Sequence, residues 1–150
     1  RNLRAITDGR MLIAASNGGT IEDIRLDDVT VRYPLVEKTA RYLKPAMIEE
    51  RIGSPEARQA CAALVAENVR DLRVTNFDVR WPAASAPAEW LPEWKRLRNT
   101  AEILPREGWL AAATPAVPAL WLRGVDGTVD TKAQGCHGAP AIDARDCRLE

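Results

Sequence analysis

The chain has 150 residues, of which 46% are hydrophobic, and its 21 Lys and Arg balance 21 Asp and Glu. It is long enough for one domain with a buried core, and the even charge argues against the basic surface that nucleic acid requires. No apolar run approaches the roughly 20 residues of a membrane helix, so neither a nucleic acid nor a membrane is an expected partner.

The chain opens at Arg1 without an initiator Met or a signal peptide, as a mature product or a fragment would. The first apolar stretch, Leu12–Gly19 (LIAASNGG), ends in Asn17-Gly18. Next comes Ile21–Pro34 (IEDIRLDDVTVRYP), and an ungapped relative lies at Val69–Pro82 (VRDLRVTNFDVRWP), displaced by 48 residues. Asp23 matches Asp71, Arg25 matches Arg73, Val31 matches Val79, Tyr33 matches Trp81 and Pro34 matches Pro82. A fixed displacement over so many positions marks an internal repeat.

Within each unit the apolar residues change phase. Ile24 and Leu26 alternate with polar residues as one face of a strand does, and Val29 and Val31 do so in the opposite phase. A flat strand with that pattern would turn half its apolar set to water. A corner between Leu26 and Val29 keeps both halves pointing inward, and Leu72, Val74, Phe77 and Val79 repeat the slip. At the bend stand Asp28 and Asn76, residue types that tolerate the left-handed conformation.

A second series follows from Ala63–Val69 (ALVAENV) through Ala119–Val125 (ALWLRGV) to Ala141–Cys147 (AIDARDC), the last two displaced by 22 residues. Its equivalent bend residues are Asn68, Gly124 and Asp146. Short strands meeting at Asn, Asp or Gly corners and repeated at a coil-sized period describe an all-β chain, a right-handed parallel β-helix, over 1–150 as a single unit. Trp121 alternates with Leu120 and Leu122 and is expected to point outward beneath the Trp-rich loop of 83–118. Tyr33 and Trp81 end equivalent strands and are expected to stack.

Two partly helical excursions interrupt this pattern. Residues 35–59 are charged and helix-prone, broken by Pro45 and Pro55. Residues 83–118 are proline-rich and hold three of the five tryptophans, with a helical turn or two expected near Glu89–Asn99. Loops of this length are usually functional or protective.

The phrases Asn17–Val31 (NGGTIEDIRLDDVTV) and Ala66–Trp81 (AENVRDLRVTNFDVRW) resemble the late, C-terminal coils of polygalacturonase-like glycoside hydrolases, members of the pectin-lyase-like right-handed β-helix superfamily. The resemblance covers residues 1–82 well and 119–150 loosely, and the Trp-rich excursion is unmatched. It implies hydrolysis of glycosidic bonds in a polysaccharide, an acidic one among the candidates, by a secreted or periplasmic protein without a cofactor. Such enzymes use Asp carboxylates from adjacent coils, spaced to admit a water molecule. Of the family's markers, Asn-Thr-Asp and Arg-Ile-Lys are absent, and Asp27-Asp28 falls on a bend. Gly135-Cys136-His137-Gly138 echoes Gly-His-Gly in the wrong order. No catalytic residue is therefore assigned here, and by the resemblance the catalytic coils would lie upstream of Arg1. Either that part of the protein or another chain would cover the first coil.

The remaining candidates are weighed on their chemistry. His137 is the only histidine, and with Cys136 and Cys147 it lacks zinc-site spacing, so no metal site is assigned. Cys147 occupies the slot of Val69 and Val125 and is expected to act as a small buried apolar residue. Seventeen Arg against four Lys suit either carboxylate recognition or pairing with the chain's own Asp and Glu. Trp90, Trp94 and Trp109, with Arg96 and Arg98, form the candidate substrate-binding set, because aromatic faces stack on sugars and Arg grips uronates. The same rings could instead cover a flank of the coils. A non-catalytic β-helix module for carbohydrate binding or adhesion is the alternative reading. A third is a complete small enzyme using carboxylates among Glu89, Glu93, Glu102 and Glu107.

Overall fold

A computed structural model describes residues 2–6, 10–33, 52–60, 62–81, 116–136 and 138–150. The elements in chain order are β1 (Leu3–Ile6), β2 (Met11–Ala14), β3 (Ile21–Arg32), α1 (Pro55–Gln59), β4 (Leu64–Arg80), β5 (Leu120–Thr131), β6 (Ile142–Arg145) and β7 (Arg148–Leu149). The fold is all-β, and every pairing between named strands is parallel. The spatial order is β1-β3-β4-β5-β6, with β2 beside β4 and β7 beside β5.

The 48-residue repeat is the β3–β4 register: Ile24 lies beside Leu72, Leu26 beside Val74, Val29 beside Phe77 and Val31 beside Val79. The second series is the β4–β5–β6 register, in which Leu64, Leu120 and Ile142 form one column and Ala66, Leu122 and Ala144 another. These inward columns merge into a single apolar core centred on β4, where Leu64, Ala66, Val69, Leu72 and Phe77 have no exposed surface. Burying each of the larger side chains contributes about 1.5–3 kcal/mol.

The strands bend where a residue takes positive φ. Asp28 (54°) and Asn76 (51°) form one corner, and Asn76 Nδ2 donates to Asp28 Oδ1 at 2.9 Å. Asn68 (53°), Gly124 (58°) and Asp146 (54°) form a second, and Asn17 (56°) with Gly18 (71°) turns the chain between β2 and β3. A third corner, at Asp23 (54°) and Asp71 (53°), was not anticipated. All three obey one local rule: an inward apolar residue, a polar residue, a left-handed residue, then another inward apolar residue. Within β4 it occurs three times, as Ala66-Glu67-Asn68-Val69, Val69-Arg70-Asp71-Leu72 and Val74-Thr75-Asn76-Phe77.

β5 departs from the rule twice: it has no counterpart of Asn76 between Asp130 and Thr131, and it is shortened at an earlier point as well. Between Val125 and Gly127 it has one residue where β4 has two, and the register shifts there. The shortcut presses Gly127 onto the neighbouring strand, so that a Cβ at this position would lie 2.0 Å from the Leu72 carbonyl oxygen. Only glycine fits.

Pro55 does not break a helix, contrary to the expectation for 35–59. It opens α1 at the first turn, where its missing N–H costs nothing. Ser54 caps that turn by accepting from Ala57 N at 3.1 Å, and the Glu67 carboxylate accepts from Ser54 N at 2.7 Å and Ser54 Oγ at 2.5 Å. Residues 34–51 and 82–115, including the turns expected near Glu89–Asn99, lie outside the described residues.

The Asn76 corner makes a testable distinction. Asn76→Gly keeps the backbone conformation and should cost only a few tenths of a kcal/mol beyond its lost hydrogen bond. Asn76→Ala adds the left-handed penalty of about 1–2 kcal/mol. Urea denaturation of the two variants measures the gap, and equal midpoints would contradict the assigned corner.

Candidate functional site

Outward positions on the stacked strands are set by the inward ones: once Leu72 and Val74 face the core, Arg73 and Thr75 must face solvent. On that outer face β4, β5 and β7 enclose a shallow open groove of about 680 Å³. Its polar lining comprises Asp71, Arg73 and Thr75 of β4, Asp126 and Thr128 of β5, Arg148 of β7, and Glu150. Arg73 reaches back to Asp71 through two bonds, Nε to Oδ1 at 2.9 Å and Nη2 to Oδ2 at 3.2 Å. The bond to Asp71 raises the Arg73 guanidinium above its ordinary range, so it stays charged at any accessible pH. The rung above continues the motif, with Arg25 beside Arg73 and paired to Asp23 at 3.6 Å.

Three carboxylates and two guanidiniums around exposed hydroxyls suit a hydroxyl-rich ligand that both accepts and donates hydrogen bonds. Among the described residues, no three His, Cys, Asp or Glu side chains gather closely enough to hold a metal ion. The groove's residues come from three strands far apart in sequence, and no residue of it belongs to the candidate set read from the sequence. Trp90, Trp94, Arg96, Arg98 and Trp109, and the carboxylates Glu89, Glu93, Glu102 and Glu107, lie outside the described residues, as does His137.

A second polar cluster is built around a largely covered arginine. Trp121 points outward from the core, as its alternation predicts, and is covered by Ala57, Ala60 and Ala62 together with Val65. The cover is thus the segment around α1, from the first excursion. The Arg123 guanidinium lies 4.2 Å from the Trp121 ring centroid and pairs with Asp143 at 3.2 Å and Glu56 at 3.7 Å. Arg10 donates to the Ala60 carbonyl and, at 2.6 Å, to that of Arg58. This cluster ties α1 down, with the Arg123 guanidinium largely covered and the Glu56 carboxylate at the surface.

The Tyr33 and Trp81 rings stack as expected, with centroids 5.0 Å apart and planes 15° apart. Trp81 Nε1 donates to the Gln134 carbonyl at 2.6 Å. Cys147 lies against the core in the predicted slot, its thiol 3.4 Å from Val125 N. It is half-buried rather than fully so, because it sits on the last described rung. Cys136 is buried, and loss of solvation pushes its thiol up to about 11.

No family model, no curated protein and no solved structure matches this chain.

The two thiols should differ in reactivity. At pH 8 in the folded protein, iodoacetamide should label Cys147 well before Cys136, whose thiolate is scarce and enclosed. Peptide mass mapping after timed labelling checks the order. Because the folded Cys136 holds its proton longer than the unfolded chain does, its contribution to stability is complete below about pH 9 and declines toward pH 11. Equal labelling rates would place Cys136 at the surface.

Proposed function

We propose that these strands are coils of a right-handed parallel β-helix and that the groove on its outer face binds polysaccharide, in a protein similar to polygalacturonase-like glycoside hydrolases. The observation carrying this reading is the in-register parallel stacking of successive rungs, with Asn, Asp or Gly in the left-handed conformation at matching corners. Such rungs leave the exterior of one face as a continuous polar surface, suited to an extended polymer. The substrate class is polysaccharide, with uronate-containing chains held through Arg73 and Arg148. The Trp-rich excursion would supply stacking groups from Trp90, Trp94 and Trp109, with Arg96 and Arg98 close to them in sequence. By the same resemblance the protein is secreted or periplasmic.

This segment is read as a binding portion because the family's aspartate markers are missing from it. A non-catalytic carbohydrate-binding or adhesion module fits the same groove. Asp71, Asp126 and Glu150 line the same groove, so hydrolysis by this segment is tested by direct assay.

Native affinity gels containing polygalacturonate or a neutral polysaccharide test the reading. The chain should be retarded by at least one of them. Arg73→Ala and Arg148→Ala should each weaken retardation several-fold on the acidic polymer, and Trp90→Ala and Trp94→Ala on either. Unaltered mobility in every gel would refute polysaccharide binding. Release of reducing sugar by the isolated chain would replace the binding role with a catalytic one.

A further inference from the structure

We propose that Asn17 is a site of spontaneous deamidation, through a succinimide closed by Gly18, on a loop that changes covalently without disturbing the stacked strands. Of the chain's asparagines, Asn2, Asn17, Asn68, Asn76 and Asn99, Asn17 alone precedes a glycine. The ring forms when the Gly18 nitrogen attacks Asn17 Cγ. That attack needs a nitrogen with no other engagement and a following residue with room to turn.

Both conditions hold at this turn. Asn17 and Gly18 are its tip, with φ of 56° and 71°. The base is fixed: Gly19 N donates to the Ser16 carbonyl at 3.2 Å, Gly53 N donates to that of Ala15 at 2.9 Å, and Ser16 bridges Ile52. At the tip, Gly18 N donates to no group among the described residues. A Cβ built on Gly18 would meet nothing within 4 Å, and glycine brings the widest backbone freedom.

The register sets this loop outside the rung. Between the Ala14–Glu67 and Ile21–Val69 pairs β4 has Asn68 alone, whereas the chain above it has residues 15–20. All but the first of these are exposed. A corner that one residue turns elsewhere is here turned by a longer detour, which has slack for one more backbone atom. The other sites lack that slack. Asn68 and Asn76 are themselves corners, and the residues after them, Val69 and Phe77, are fully buried and paired in the sheet. Asp126 also precedes a glycine, but Gly127 is wedged so that a Cβ would lie 2.0 Å from the Leu72 carbonyl oxygen.

In the first step the Gly18 N–Asn17 Cγ bond forms as the Cγ–Nδ2 bond breaks, and the amide leaves as ammonia, taking up the proton lost from Gly18. Water then opens the ring at either carbonyl. The product is an aspartate or an isoaspartate, whose backbone runs through the side-chain carboxyl carbon. Each replaces a neutral amide with a carboxylate, so the formal net charge falls by one from zero.

Incubating the folded protein in mildly alkaline buffer, followed by isoelectric focusing and peptide mass mapping, tests this. An acidic band should accumulate, faster as pH rises because the attacking amide must lose its proton. The mass gain of an amide-to-acid exchange should appear at Asn17 several-fold faster than at Asn2, Asn68 or Asn76. Asn17→Gly accepts the same φ without an amide and should stop the band from forming. The aged protein should keep the urea midpoint of the fresh one. Retention of the Asn17 amide while other asparagines change, or an undiminished acidic band from Asn17→Gly, would overturn the assignment. A lowered urea midpoint on ageing would overturn the placement of the loop outside the register.

Discussion

The structure depends on one backbone constraint: a strand that must keep its apolar residues inward through a bend needs a left-handed residue just after the bend's polar position. An ordinary side chain there costs about 1–2 kcal/mol, and Asn and Asp lower the penalty by bonding locally through their short polar groups. Among the described residues, each of the eight non-glycine positions with positive φ is Asn or Asp. Removing the corners would leave β3 and β4 unable to bury both halves of their apolar sets. The matched corners also fix the register, because a slip by one residue would put a bulky inward residue into the left-handed position.

With the interior assigned to columns of Val, Leu, Ile and Phe, chemistry is confined to the outside, and in-register stacking has an electrostatic consequence there. Like residues fall beside like, as with Arg25 and Arg73 or Arg32 and Arg80, and like charges directly opposite are unfavourable. The chain offsets this within each strand. Arg25, Arg73 and Arg80 follow an Asp two positions earlier, at Asp23, Asp71 and Asp78, and lie 3.6, 2.9 and 3.4 Å from its carboxylate. Side chains two apart share a face of the strand, and the intervening residue points to the core. Much of the high arginine content is thus used in pairing with the chain's own carboxylates. These exposed pairs add little stability individually, but they hold guanidiniums in place on an outer face.

The corners were legible in the sequence wherever a phase slip was flanked by two clear alternations. That is why Asp28, Asn76, Asn68, Gly124 and Asp146 could be named as bends, and why Trp121 could be turned outward. The Asp23–Asp71 corner obeys the same rule but escaped notice. Only Ile21 or Val69 precedes it on its own flat segment, so there was no alternation to be interrupted. The helix start at Ser54-Pro55 was readable as a cap followed by proline at the first position, yet an isolated Pro beside Gly53 and Ser54 reads equally well as a breaker. The groove could not be read at all. Asp126 and Arg148 are partners in the β5–β7 register, and they meet Asp71 through the first register shift of β5 against β4, which hangs on a single missing residue whose effect appears in three dimensions.

That missing residue also bears on what the groove can hold. Rungs in parallel register lie about 4.8 Å apart, so a face built from β4, β5 and β7 spans only about 10 Å from first to third. Under the proposed polysaccharide reading, a site that short would engage a small piece of a polymer, with Arg73 and Arg148 acting at contact distance because charges in salt are screened beyond about 10 Å. Affinity for a polysaccharide would have to grow by lengthening the same face, rung upon rung, and β3 already adds Arg25 and Asp23 in line with Arg73 and Asp71. On the proposed reading, such a surface would gain from each added parallel strand, since linked weak sites act at high effective concentration. Stacking is then both what folds this chain and what would make its outer face useful.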